Sequence, residues 1–185
     1  MNNLALETRE GLPDALRVLL AEYPRAGWET DPGFDELTRF WLDRHLMFRK
    51  ILTAMTQTTE TLLDRDMDPQ AFANATSRYG GMFVEQLHHH HTVEDTHYFP
   101  QLMGKDDRLA RGFDILDADH HAIDRHLADF VDDANGALRA LSDRDALQGA
   151  AGTFHATLTR VTGLLDRHLM DEEELIVPII LRYGA

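Results

Sequence analysis

The strongest constraint in this sequence is a period. Over most of its length apolar residues recur every three or four positions, while glycine and proline are sparse and clustered, which is the signal of amphipathic helices. The period predicts four long helical segments, over residues 34–63, 69–103, 107–141 and 144–181, and a shorter one over 13–22. The stretch YPRAGWETDPG between the short helix and the first long one reads as a loop from its proline and glycine content. Connections near DRDMDP, GKDD and LSDRD are short, so successive long helices should run antiparallel. The expected fold is all-α: an up-down-up-down four-helix bundle over 34–185, with residues 1–33 as a short helix and loop that brace it or act as a lid. At 185 residues the chain is long enough for one buried core and short for two ordinary domains.

Polar residues break the apolar rows of these helices at related places. A helix turns about 100° per residue, so each row can be read from spacing alone. In the first segment the row around His45 collects Phe34, Thr38, Trp41, Leu52 and Thr56. In the second, within HHHHTVEDTHYFP, His90 shares its face with Phe83, Leu87, Glu94 and His97, while His88 turns away and His89 and His91 flank the row. The third reads Leu109, Phe113, Leu116, His120, Leu127, Val131 and Leu138, with Asp124 between His120 and Leu127. The fourth reads Phe154, Val161, Leu165, His168, Glu172, Leu175 and Ile179. His90, Glu94 and Pro100 repeat the spacing of His168, Glu172 and Pro178, H-x3-E-x5-P. The acidic run 171–174 is otherwise expected to be a solvated face, with only Glu172 inward.

A buried carboxylate without compensation costs several kcal/mol, so these inward groups must be paired, hydrogen-bonded or bound to metal. One inward histidine is usually a satisfied core residue, but histidines on all four helices, three followed by a carboxylate one turn later, act collectively. An i,i+4 pair places both groups roughly 6 Å apart on one face, within reach of one ion or of two adjacent ions. The chain has no cysteine, which removes disulfides, iron–sulfur clusters and thiolate ligands and leaves His, Asp and Glu as donors. His45, His90, Glu94, His120, Asp124, His168 and Glu172 offer more nitrogen and oxygen donors than one tetrahedral zinc needs. Two six-coordinate ions fit better, iron first, with manganese or mixed occupancy open.

The segments RHLMFRKIL, HHTVEDTHYFPQL, LDADHHAID and RHLMDEEELIVPII, in this order over residues 34–182, resemble the hemerythrin-like, or HHE cation-binding, domain family. The resemblance implies a four-helix bundle around a non-heme pair of irons joined by an oxo or hydroxo bridge. His45 and His90 would cap one iron, His120 and His168 the other, and Glu94 and Glu172 would bridge. The sequence departs from animal hemerythrins where Asp124 stands in place of a second histidine on the third helix. It departs again where the last carboxylate falls four residues after His168, at Glu172, rather than five, at Glu173. His97 is expected to orient Glu94, and Trp41 and Phe48 to keep the pocket dry.

With these ligands a coordination position stays open, which suits dioxygen, peroxide or nitric oxide, so the expected role is binding or sensing a small oxidant. Sensing would need a protein partner or an oligomer. One competing class is a ferritin-like di-iron oxidase, peroxidase or iron-handling protein, to which Glu94 and His97 supply one Glu-x-x-His pair. The other is an interaction bundle that needs no metal. A net charge of -14 argues against nucleic acid and anionic membranes as partners. The N-terminus lacks a signal-peptide pattern and no stretch reaches transmembrane length, so a cytoplasmic protein is expected.

Overall fold

The computed structural model describes residues 4–184, and all regular structure among them is helical. Two 3-10 turns, Asp14–Leu16 and Arg25–Thr30, flank the short helix α1, Val18–Glu22. The long helices are α2, Glu36–Leu63; α3, Pro69–Val93; α5, Ala110–Arg139; and α6, Arg144–Tyr183. Helix α3 continues through one π-helical turn, Glu94–Tyr98, into α4, Phe99–Met103. The single helix expected over 13–22 is thus two pieces. They part at Arg17, whose backbone leaves the helical basin (φ −111°, ψ 21°) where its side chain reaches Asp14 and Glu174.

Aspartates set the helix starts. Asp35 accepts from the backbone N–H of Thr38 at 2.7 Å, and Asp68 from those of Gln70 and Ala71 at 3.0 and 3.1 Å. Asp143 does the same for Asp145 and Ala146, at 3.0 Å each. Each cap satisfies donors that a first helical turn leaves unpaired and contributes about 1 kcal/mol. Pro69 follows its cap at the first helical position, where a missing N–H costs nothing. Helix α2 ends on Arg65 in the left-handed region (φ 64°), with the N–H of Asp66 bonded to the Thr61 carbonyl at 3.0 Å.

The described residues group into two compact units. The first comprises residues 4–46, 90–122 and 164–184, with an apolar core that includes Trp28, Trp41, Phe99, Phe113, Leu116, Leu175 and Ile179. Within it the loop before α2 crosses the end of α6 closely. A methyl group on Gly33 would lie 2.6 Å from the Leu181 carbonyl oxygen, so only glycine allows the approach. The second unit comprises residues 47–89 and 123–163. Its centre is a row of phenylalanines, with ring centroids 6.2 Å apart for Phe48 and Phe83, 5.6 Å for Phe83 and Phe130, and 5.4 Å for Phe130 and Phe154. All three contacts are tilted or edge-to-face, as the aromatic quadrupole prefers. Among the described residues no helix is long and apolar enough to cross a membrane.

Candidate metal centre

The first unit gathers an unusual set of buried polar side chains. His45 comes from α2, His90 and His91 from the end of α3, and Glu94 from the π-helical turn. Asp119 and His120 come from α5, and His168, Asp171, Glu172 and Glu173 from α6. Their ligand atoms fall into two groups, each lying within 4.8 Å of one another: His45, His90, Glu94 and Glu172 in one, and His91, His120 and His168 in the other.

Proton bookkeeping fixes how three of the imidazoles point. Nδ1 of His45 lies 3.0 Å from Glu173 Oε1, that of His120 lies 2.8 Å from Asp95 Oδ1, and that of His168 lies 3.2 Å from Asp119 Oδ2. An ionised carboxylate only accepts, so each Nδ1 carries the proton and each Nε2 presents a lone pair inward. A carboxylate holding the far nitrogen of an imidazole is the usual support of a metal-binding histidine. The inward nitrogens then meet two glutamates. Glu94 lies 3.0 Å from His90 Nε2 through one oxygen and 3.7 Å from His120 Nε2 through the other. Glu172 Oε2 lies 3.7 Å from His45 Nε2 and 3.4 Å from His168 Nε2. Each glutamate therefore touches one histidine of each group. Nε2 of His45 and Nε2 of His90 are 3.1 Å apart.

An outer layer secures these groups. Trp41 donates from Nε1 to Glu94 Oε1 at 2.6 Å. Residues before α2 reach the acids on α5 and α6. Arg9 donates to both oxygens of Asp119 and, from Nε, to Asp171 at 2.7 Å. The backbone N–H of Leu12 and the guanidinium of Arg167 bond to the other oxygen of Asp171 at 3.1 and 2.7 Å. Arg25 donates to Glu173 Oε2 at 2.7 Å, while the other oxygen of Glu173 holds His45. Two arginines of the N-terminal segment are thus one carboxylate away from a candidate ligand.

The electrostatics favour a cation. Burial, reinforced by neighbouring imidazoles, holds His90 and His91 well below the ordinary histidine range, and burial holds His168 at about 4 against the pull of Asp119. Neutral imidazole is the form that ligates. Burial and the facing Glu94 push Glu172 well up, as expected for two carboxylates in one enclosed space. Asp119 is held low because its bonds to Arg9 and His168 outweigh its burial. In this region Glu94 Oε2, both oxygens of Glu172, Nε2 of His120 and His168, and both nitrogens of His91 are buried without a hydrogen-bond partner. Orphaned buried acceptors converging from α3 with its π-helical turn, α5 and α6 are hard to sustain in a protein that binds nothing, and they are the donor set a hard or borderline metal ion needs.

Six residues singled out in the sequence, His45, His90, Glu94, His120, His168 and Glu172, are brought together and buried. Asp124 is not: it is exposed. The inward row of α5 steps through Leu116, His120, Ile123 and Leu127, all buried, and this spacing leaves Asp124 outside. His97 is likewise exposed and bonds to Thr96 at 2.7 Å rather than to Glu94. The cause is the π-helical turn, which adds a residue and shifts the face of everything after Glu94. The same wider turn lets Asp95 reach His120. The acidic run is not a solvated face, since Asp171 and Glu173 are buried with Glu172 beneath Arg9, Leu12 and Arg25. His91, expected at the border of the row, lies inside it. A signal for these residues existed in the acids adjacent to histidines and in the arginines of a supposed loop, but spacing within one helix does not show which segment will cover its other side.

Residues 36–180, well over half of the chain, match the family model of the hemerythrin HHE cation binding domain. No curated protein and no solved structure matches. Family and geometry agree on a metal-binding helical domain with clustered histidines and glutamates.

Proposed function

Because the chain belongs to the hemerythrin HHE cation-binding domain family, we propose that it is a non-heme di-iron protein that binds or senses dioxygen or a related small oxidant, peroxide or nitric oxide, in the cytoplasm. The observation that carries this reading is the position of the two glutamates, each spanning one histidine of each ligand group. In this reading His45 and His90 would hold one iron and His120 and His168 the other, and Glu94 and Glu172 would each serve both. The long helices run antiparallel as a four-helix bundle, with residues 1–33 bracing the metal-bearing part.

A ferrous pair supplies two electrons and a Lewis-acid docking place for a small oxidant. The chain supplies the rest. Asp95, Asp119 and Glu173 keep the proton on Nδ1 of their histidines, so Nε2 would be the nitrogen free to hold a metal. Trp41 fixes one oxygen of Glu94, limiting how that carboxylate can shift. Phe99, packed against both His120 and Phe113, walls one side with apolar surface and keeps water out. A ferritin-like oxidase site would use His97 with Glu94, and His97 is exposed. A bundle needing no metal would leave the orphaned carboxylates and imidazoles uncompensated.

The test is metal analysis with optical spectra of the reduced protein before and after air. Two irons per chain and a ligand-to-iron charge-transfer band that develops on oxidation are expected. His45→Ala and His120→Ala should lower iron content, and His88→Ala should not. One zinc per chain, or equal iron loss in all three variants, ends the reading.

A further inference from the structure

The N-terminal segment buries one arginine against the first unit. A turn closed by the Ala5 carbonyl, which accepts from the N–H groups of Thr8 and Arg9 at 3.1 Å each, sets Arg9 in a stretch anchored by the buried side chains of Leu6 and Leu12. Nη1 of Arg9 donates to Asp119 Oδ1 at 2.7 Å and to the Leu4 carbonyl at 3.0 Å, Nη2 donates to Asp119 Oδ2, and Nε donates to Asp171 Oδ2 at 2.7 Å. Asp171 is supported without this arginine, since Arg167 and the N–H of Leu12 bond to its other oxygen. Asp119 is placed differently: besides Arg9 it meets His168, whose Nδ1 lies 3.2 Å from Oδ2. A buried ion pair is by itself a weak source of stability, because desolvation of both charges offsets their attraction. A two-pronged pair does fix orientation, since a guanidinium that grips both oxygens sets the plane of the carboxylate.

We propose that Arg9 is a positioning residue of the metal centre: clamped on both oxygens of Asp119, it holds that carboxylate against His168 and so sets how tightly the ion at His168 is bound. The inference rests on the two-metal reading above. The three histidines held by carboxylates are not held alike. Asp95, behind His120, has a side chain 31% exposed, and Glu173, behind His45, meets Arg25, whose side chain is 44% exposed. Behind His168 the carboxylate and its arginine are 3% and 2% exposed, so water neither screens this pair nor replaces it. Arg9 also precedes residues 36–180, the stretch that matches the family model. Part of the site's construction therefore comes from a segment outside the matched domain.

The experiment compares the wild-type chain, Arg9→Met, Asp119→Asn, the double variant and Arg17→Met, each loaded anaerobically with iron(II) and, separately, with cobalt(II), whose visible spectrum reports its ligands. Methionine fills the space of the arginine stem without the fork, and Arg17 bonds to Asp14 and Glu174, outside the centre. Wild type and Arg17→Met should take up two ions per chain. Arg9→Met should bind one of them about tenfold to a hundredfold more weakly, with an altered cobalt spectrum, as should Asp119→Asn. Because Arg9 acts through Asp119, the double variant should be no weaker than Asp119→Asn alone. Wild-type affinity and spectrum in Arg9→Met, or losses that multiply in the double variant, overturn the assignment and leave the two-metal reading standing. A wild-type chain that takes up fewer than two ions overturns both. Should circular dichroism show that Arg9→Met does not fold, Arg9→Lys decides, since it keeps the charge and loses the fork: a weakened ion with an altered spectrum supports the clamp, and wild-type values remove it.

Discussion

The two units bury polar groups in opposite ways. In the second unit the buried polar side chains are threonines, Thr59, Thr76 and Thr157, and Thr59 and Thr157 are satisfied within the unit, by the Met55 carbonyl at 2.8 Å and by Asp133 at 2.6 Å. The first unit encloses five histidines, six carboxylates and a guanidinium, with several acceptors left unsatisfied. One interior leaves Thr162 Oγ1 as its single orphaned buried side-chain atom among the described residues, and its phenylalanine row needs only to leave water. The other is complete only with a cation. Stability and metal binding should therefore separate along the chain.

The sharpest break is metal removal. Chelation should cost about 4 kcal/mol if the metal is present at a thousand times its Kd, on the order of 10 °C in Tm for a chain of this size. Hydrogen exchange should show the loss concentrated in residues 36–46, 90–122 and 164–183, with 47–89 and 123–163 still protected. Uniform loss of protection would mean that the units do not differ as described. The converse substitution is Phe83→Ala, which empties the centre of the second unit and should destabilise by about 3–4 kcal/mol in denaturant unfolding while iron per folded chain stays at the wild-type value.

Acid sharpens the contrast. His168 is held at about 4 from an ordinary value of 6.5, so the unfolded chain takes up a proton that the folded, chelated chain refuses between those values. Stability of the chelated protein should be full above pH 6.5 and fall as pH drops towards 4, by on the order of 3 kcal/mol from this group, with His90 and His91 adding in the same direction. Urea titrations across this window check it; a flat profile would contradict the burial assigned to these rings. The smallest effect is expected at Arg25, whose side chain is 44% exposed and reaches His45 only through Glu173. Arg25→Gln should weaken metal binding by up to about tenfold in chelator competition, with little change in unfolding of the chelated chain.

The sequence revealed those parts of this organisation that depend on one helix alone. Apolar spacing is local, so helix ends were readable to within a few residues. His45, His90, His120 and His168 were readable because each sits in the middle of an apolar row. His91, Asp119 and Glu173 were not, because each lies off the centre of its own row and becomes interior only through what covers it. Asp124 failed for the opposite reason: a wheel drawn through His120 and Leu127 admits it, and the stepping through Ile123 excludes it.

The π-helical turn at Glu94–Tyr98 carries a consequence for how this segment tolerates change. One surplus residue there sets the angular phase between the histidines of α3 and the apolar residues Phe99 and Leu102 of α4, both buried. Deleting any single residue from the turn would restore an ordinary α-helix with its backbone bonding intact, and would rotate α4 by about 100° against the ligands. Most side chains in the turn could be exchanged with less damage than one could be lost. Spacing, more than the identity of its residues, is what this stretch has to preserve.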